Sequence, residues 1–170
     1  MSIIDNDDDE SLTFAARCRS LGVATKNVRG NVSNLWFDDL YHYWRRSPKP
    51  IGGLTSHSTW FLLDMMARDA GMRTIYRGDH QRLGQGAMEH RLFGIHPPGS
   101  ARMLRGATGS RWAAAVAMMV TAPDRTSADR QGNSTRHARK RMVGNDTIIS
   151  WVIASPAAFT PLKLLGAVEP

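Results

Sequence analysis

Chemistry in this chain has few places to begin. Asp79-His80 and Glu89-His90 are the only points where a carboxylate adjoins a histidine. Either pair could ligate a metal or move a proton. Placed on one continuous helix, however, ten residues separate the pairs by about three turns, or ~15 Å, too far for one metal ion to bridge. Glu10, Asp38 and Asp39 supply further carboxylates, but nothing pairs an acid with a base. Serines, histidines and aspartates are present without a Gly-x-Ser-x-Gly elbow. Gly84-Gln85-Gly86 lacks the Lys-Ser/Thr that completes a phosphate-cradling loop. The single cysteine, Cys18, rules out an internal disulfide framework and reads as a small core residue in a reducing compartment. The sequence therefore assigns no catalytic residue, no metal and no cofactor. An enzyme site assembled from distant residues, that of a nuclease or phosphotransferase included, stays open.

Charge gives a clearer direction. The 22 Lys and Arg against 15 Asp and Glu leave a net charge of +7, which favours a polyanionic partner, nucleic acid before an acidic membrane surface. The basic residues fall in two settings. Arg102 and Arg105 are three apart and share one helix face, where they would contact bases, since arginine reaches guanine O6 and N7 in a major groove. Arg125, Arg130, Arg136, Arg139, Lys140 and Arg141 lie in polar sequence, where they would follow phosphates.

The elements that must position these groups read mainly as helices. Residues 1–10 are acidic and expected to be loose. Ser11 to Leu21 has helical order, closed by Gly22. Asn34 to Arg46 is a stronger helix crowded with Trp36, Phe37, Tyr41, Tyr43 and Trp44. Its aromatics suit the core, a second copy of the chain, or a stacking platform for single-stranded nucleic acid. Ser47 to Gly53 is a break. Thr55, Ser56 or Ser58 can then cap a helix to Ala70, with Trp60, Leu63, Ala67 and Ala70 as its buried stripe and Gly71 after it. Arg73 to Arg77 alternates like a short strand.

Asp79 to Gly106 reads as helix, tight turn, second helix. Leu83, Ala87 and His90 follow at i, i+4 and i+7, Gly94 stops the first helix, and His96-Pro97-Pro98 starts the second. Ala101 and Leu104 pack inward, and Gly106 ends it. Ser110 can cap an Ala-rich helix to about Val120, on which Trp112, Val116 and Met119 align. Thr121 to Val143 is a polar, basic, mobile loop. Thr147 to Ile153 is β-branched and strand-like, and 155–170 is an extended tail. At 170 residues the chain is long enough for one domain with a core. No apolar run reaches the roughly 18 residues of a membrane span, so a soluble, intracellular (cytoplasmic) protein is expected.

Three segments together resemble winged helix-turn-helix regulators of the MarR type. Leu54-Thr55, Trp60-Phe61-Leu62-Leu63 and Met66-Ala67-Arg68 look like the helix before the reading head. Leu92 to Pro98 with Ser100-Ala101-Arg102-Met103-Leu104 looks like the turn and recognition helix. Arg125 to Gly132 looks like the wing. The resemblance implies a mainly α fold of one domain with a small β element, and a homodimeric regulator of transcription bound to duplex DNA. The alternative is a viral or ribonucleoprotein shell subunit, in which the Trp- and Met-rich helices make subunit contacts and the basic loop neutralises nucleic acid without reading it.

Overall fold

The computed structural model describes residues 1–83, 87–105, 107, 109–122 and 147–155. Its centre is a six-stranded mixed sheet with the order β2-β1-β3-β6-β4-β5. The strands are β1 (Ser2–Ile4), β2 (Thr25–Asn27), β3 (Ile51–Ser56), β4 (Arg73–Arg82), β5 (Met88–Gly94) and β6 (Thr147–Ala154). β1 pairs in parallel with β2 and β3, whereas β6 runs antiparallel to both β3 and β4 and β5 antiparallel to β4. β4 therefore points the same way as β1, β2 and β3.

Helices cover both faces. α1 (Asp9–Ser20), α5 (Ser100–Arg105) and α6 (Arg111–Thr121) lie on one side. There Phe14, Cys18, Leu104, Trp112 and Val116 pack with Ile4, Tyr76 and Val152 of the sheet. On the other side are α2 (Val32–Leu35), a π-helical turn Trp36–Leu40, α3 (Tyr41–Arg46) and α4 (His57–Asp69). Leu35, Leu40, Trp44, Leu63 and Ala67 pack there with Ile3, Ile149, Trp151 and Ile153. The period of two along a strand sends neighbours to opposite layers: Ile3 and Trp151 go to one core, Ile4 and Val152 to the other. Each such fully buried aliphatic or aromatic side chain contributes about 1.5–3 kcal/mol.

Several sequence expectations are corrected here. The fold is not mainly α with a small β element, because its helices cover the two faces of an extensive six-stranded sheet. Residues 2–4 are not a loose acidic terminus but a strand held between two others, with all three residues buried. Ser-Ile-Ile is too short to show a period, and the acids after it belong to the next element. Asp8 Oδ1 accepts from Ser11 N at 2.8 Å as the N-cap of α1, and Asp9 and Glu10 sit in its first turn, where the helix dipole favours negative charge. Ile51–Ser56 is strand rather than break. Gly52 and Gly53 are small because Val120 and Trp151 lie against their backbone, where a β-carbon would come within 2.2 and 2.6 Å of them.

The largest correction concerns Asp79 to Gly106. No helix-turn-helix forms there. The stretch is the end of β4, the strand β5 and, after a Pro-Pro turn, the six-residue α5. Met88, His90 and Leu92 are two apart, while Met88 and Leu92 also fit a helix, and the strand period won because Arg82, His80 and Gly78 present the same period to pair with them. The MarR-type resemblance is overturned with it: helices flank a six-stranded sheet instead of a small wing. The segment read as the wing, and most of the polar stretch 121–143 and the tail 155–170, fall outside the described residues. Elsewhere the periodicity served well. α4 runs from an N-cap at Ser56 to Asp69 and buries Leu63 and Ala67, and α6 buries Trp112, Val116 and Met119. No helix among the described residues is long and apolar enough to cross a membrane.

Candidate active site: a Tyr-Ser-His-His chain across three strands

The hairpin β4–β5 brings together the two histidines that a helix would have kept apart. His80 and His90 are directly opposite across the ladder, and on β4's other side His80 faces Ile148 of β6. Their side chains point into the α6 layer. His80 Nδ1 and His90 Nδ1 are 2.7 Å apart. His80 Nε2 lies 2.7 Å from Ser150 Oγ, and Ser150 Oγ lies 2.9 Å from the Tyr76 hydroxyl. One hydrogen-bonded chain thus runs from β5 through β4 and β6 and back to β4.

Two backbone features make this convergence possible. The first is the register shift between Thr74 and Tyr76, a bulge at Ile75. Without it, Thr74 and Tyr76 would share a face. With it, Thr74 turns to the α4 side, where its hydroxyl donates to Asp64 Oδ1 at 2.5 Å, while Tyr76 turns into the opposite core. Bulges re-aim side chains in this way. The second is Gly78, between Tyr76 and His80. A β-carbon there would meet Ser150 Oγ at 2.5 Å, the Tyr76 hydroxyl at 2.8 Å and His80 Nε2 at 3.0 Å. The absent side chain is the space in which the three polar groups meet.

Burial is graded along the chain. Tyr76, Ser150 and His80 are fully buried, while His90 is only partly so. Burial, with His90 beside it as a smaller cause, holds His80 well below the ordinary histidine value. Burial lowers His90 as well. Both rings are neutral at pH 7, each with one donor and one acceptor nitrogen. The Nδ1–Nδ1 contact therefore couples their tautomers. When His80 donates, His90 Nε2 carries a hydrogen. When His90 donates, His80 Nε2 donates on to Ser150, and His90 Nε2 offers a lone pair. That nitrogen makes no hydrogen bond among the described residues.

Trp112, near the start of α6, closes the site from above. Its ring centroid is 4.6 Å from that of His80 and 5.4 Å from that of His90. Trp112 is 1% exposed, and its Nε1 is the one buried side-chain nitrogen or oxygen without a hydrogen-bond partner among the described residues. On the far face of the hairpin Arg77 pairs with Asp79 at 2.6 Å and lies over the Trp60 ring, 4.2 Å from its centroid, which ties β4 to α4.

A second region was weighed against this one. In open sheets of this kind ligands gather at the carboxyl ends of parallel strands, where successive connections leave to opposite faces. β1 and β3 meet this description, since α1 and α4 follow them on opposite sides. Here, though, the polar groups satisfy one another. Asp5 Oδ2 accepts from Ser56 N at 2.9 Å and from Ser56 Oγ at 2.6 Å, Asp8 caps α1, and Asn27 donates to Asp7. These contacts lock two strand ends together. No group of three or more His, Cys, Asp or Glu that could hold a metal ion occurs among the described residues.

The residues expected to bind nucleic acid are placed differently. Arg102 and Arg105 are exposed on α5. Arg125, Arg130, Arg136, Arg139, Lys140 and Arg141 lie outside the described residues. The regulator reading, with its duplex-DNA partner and homodimer, rested on a helix-turn-helix, and a β-hairpin stands in its place. The shell-subunit alternative took the Trp- and Met-rich helices as subunit contacts, yet Trp44, Trp112 and Met119 of those helices are buried in their own chain's cores. No protein-family model, curated protein or solved structure matches the chain. Both nucleic-acid readings are overturned.

The histidine pair had a readable signal. Two runs flanking Gly84-Gln85-Gly86 fit a Gly-containing hairpin loop, and Arg82–Met88 and His80–His90 are symmetric about it. Ser150 and Tyr76 had none, because their place depends on β6 inserting between β3 and β4.

Proposed function

We propose that the chain is an enzyme of general acid–base chemistry, with His90 Nε2 as the group that exchanges a proton with substrate. The observation that carries this reading is the continuous chain Tyr76–Ser150–His80–His90, three of whose members are buried in the core while the fourth is only partly buried. His90 takes the part of the base, and His80 orients it through Nδ1, the part that a third residue plays in a triad. A lowered pKa keeps His90 deprotonated at neutral pH and therefore able to accept.

Acylation by diethylpyrocarbonate, which requires a neutral imidazole, tests this residue by residue when the modified sites are mapped by mass spectrometry. His90 is expected to react with an inflection below the ordinary histidine value of 6.5, and Ser150→Ala is expected to change the His90 rate. Failure of His90 to react, or an inflection at or above 6.5, would overturn the reading.

A further inference from the structure

The sheet has two outer edges, and they are built differently. β2 is three residues long with Lys26 in its middle, and a short strand bearing a lysine is a poor template for another chain. β5 is seven residues long, holds no proline, and pairs with β4 from Met88 to Gly94 without a shift in register. Two hydrogen bonds bracket that ladder and fix which backbone groups face which way. Leu83 N donates to Ala87 O at one end and Ile95 N to Ile75 O at the other, both at 2.8 Å. Bonded and non-bonded pairs alternate in an antiparallel ladder, so Glu89, Arg91 and Phe93 turn their N–H and C=O groups toward β4. Met88, His90 and Leu92 turn theirs outward, where these groups meet no partner among the described residues.

We infer that β5 pairs antiparallel with the β5 of a second copy of this chain, about a two-fold axis at His90. In that register the outward groups of Met88, His90 and Leu92 bond to those of the partner's Leu92, His90 and Met88, and symmetry makes the seam close on itself. Side chains opposite one another share a face of the sheet. Met88 therefore meets the partner's Leu92, and Glu89 meets the partner's Arg91, apolar against apolar and acid against base. Other registers fail. Placing the axis between two residues aims outward groups at inward ones. Placing it at Glu89 or at Arg91 sets that residue opposite its own copy, and like charges directly opposite are destabilising. Within one strand Arg91 already pairs with Glu89 at 2.9 Å, yet their side chains stay 39% and 41% exposed, so both remain open to a neighbour. The seam needs no recognition helix and no nucleic acid. It is also independent of the acid–base reading, because it engages the backbone of His90 and not its ring. One short strand buries little area, so the association is weak and depends on concentration.

Sedimentation velocity of the full chain over a wide concentration range tests this. The wild type is expected to pass from monomer to dimer as concentration rises. Arg91→Glu alone and Glu89→Arg alone each set like charges along the whole seam, and each is expected to stay monomeric where the wild type is dimeric. Their equimolar mixture puts acid against base at every such pair again and is expected to recover the dimer. A wild type that stays monomeric throughout would overturn the inference, as would a mixture that does not recover. Single variants that dimerise like the wild type would also overturn it, and would move the contact to another surface, such as exposed Phe61, Leu62 and Met65 of α4. If a variant fails to fold, the wild type still decides. In a dimer of labelled with unlabelled chains, the Cα hydrogen of Glu89 is expected to show a nuclear Overhauser effect to that of the partner's Arg91, since the two face each other at a non-bonded pair. Its absence would overturn the seam.

Discussion

Two small residues matter more to the candidate site than the charged ones. At Gly78 a methyl group would occupy the point where the Tyr76, Ser150 and His80 polar atoms meet. Gly78→Ala must push at least one of them away, and overpacking of this kind costs about 1–3 kcal/mol. Urea unfolding is expected to show that loss, with a changed acylation rate at His90 alongside it. Ser150→Ala removes the link without adding bulk. It leaves His80 Nε2 lacking its partner in a site where His80 is completely buried, with an expected loss of about 1–3 kcal/mol. Ser150→Thr, which restores a hydroxyl, should recover the His90 rate more than the stability. Cys18 is the counterexample: it is buried, burial pushes its thiol up, and it belongs to the core without any part in the site.

At the scale of elements, the contrast between α6 and the β4–β5 hairpin shows what could be read from sequence. α6 is Ala-rich, follows a serine and places Trp112, Val116 and Met119 on one side, so local spacing alone defines its buried face. In Asp79 to Gly94 spacing is ambiguous, because Met88 and Leu92 are four apart and also share a strand face. What decides is the partner strand, information that lies beyond any local window. The same holds for Ser2–Ile4, three residues that become a strand only because β2 and β3 flank them. The histidine pair was therefore visible as residues but not as a contact, and Ser150 and Tyr76, 74 positions apart, were not visible as partners at all. Ser56 joins the two kinds of information. It was one of three candidate caps for α4, and its hydroxyl does accept from Thr59 N, yet it also ties β3 to Asp5 at the end of β1. Ser56→Ala is expected to lower stability by about 0.5–2 kcal/mol from the cap alone, read as a shift in the urea midpoint. Asp5→Asn should weaken the tie but spare the cap, so its loss should be smaller.

For the whole molecule the buried histidines set a pH dependence. His80 is held well below, and His90 below, the histidine value of 6.5 that each would recover on unfolding. Between the folded and unfolded values the unfolded chain binds more protons, so stability rises with pH in that window. The contribution is fully present above about 6.5 and declines as pH falls through and below that value. Thermal unfolding followed from pH 7.5 to 5 is expected to show this decline, and His80→Gln should flatten it.

The most direct test of the histidine chain is a long-range ¹H–¹⁵N correlation on the chain labelled at histidine, recorded across that pH range. The predicted spectrum shows His80 and His90 neutral at pH 7, with one Nδ1 carrying hydrogen and the other bare, both titrating below 6.5, and a changed His90 tautomer ratio in Ser150→Ala. Two independent rings each protonated at Nε2, or a His90 that titrates at or above 6.5, would contradict it.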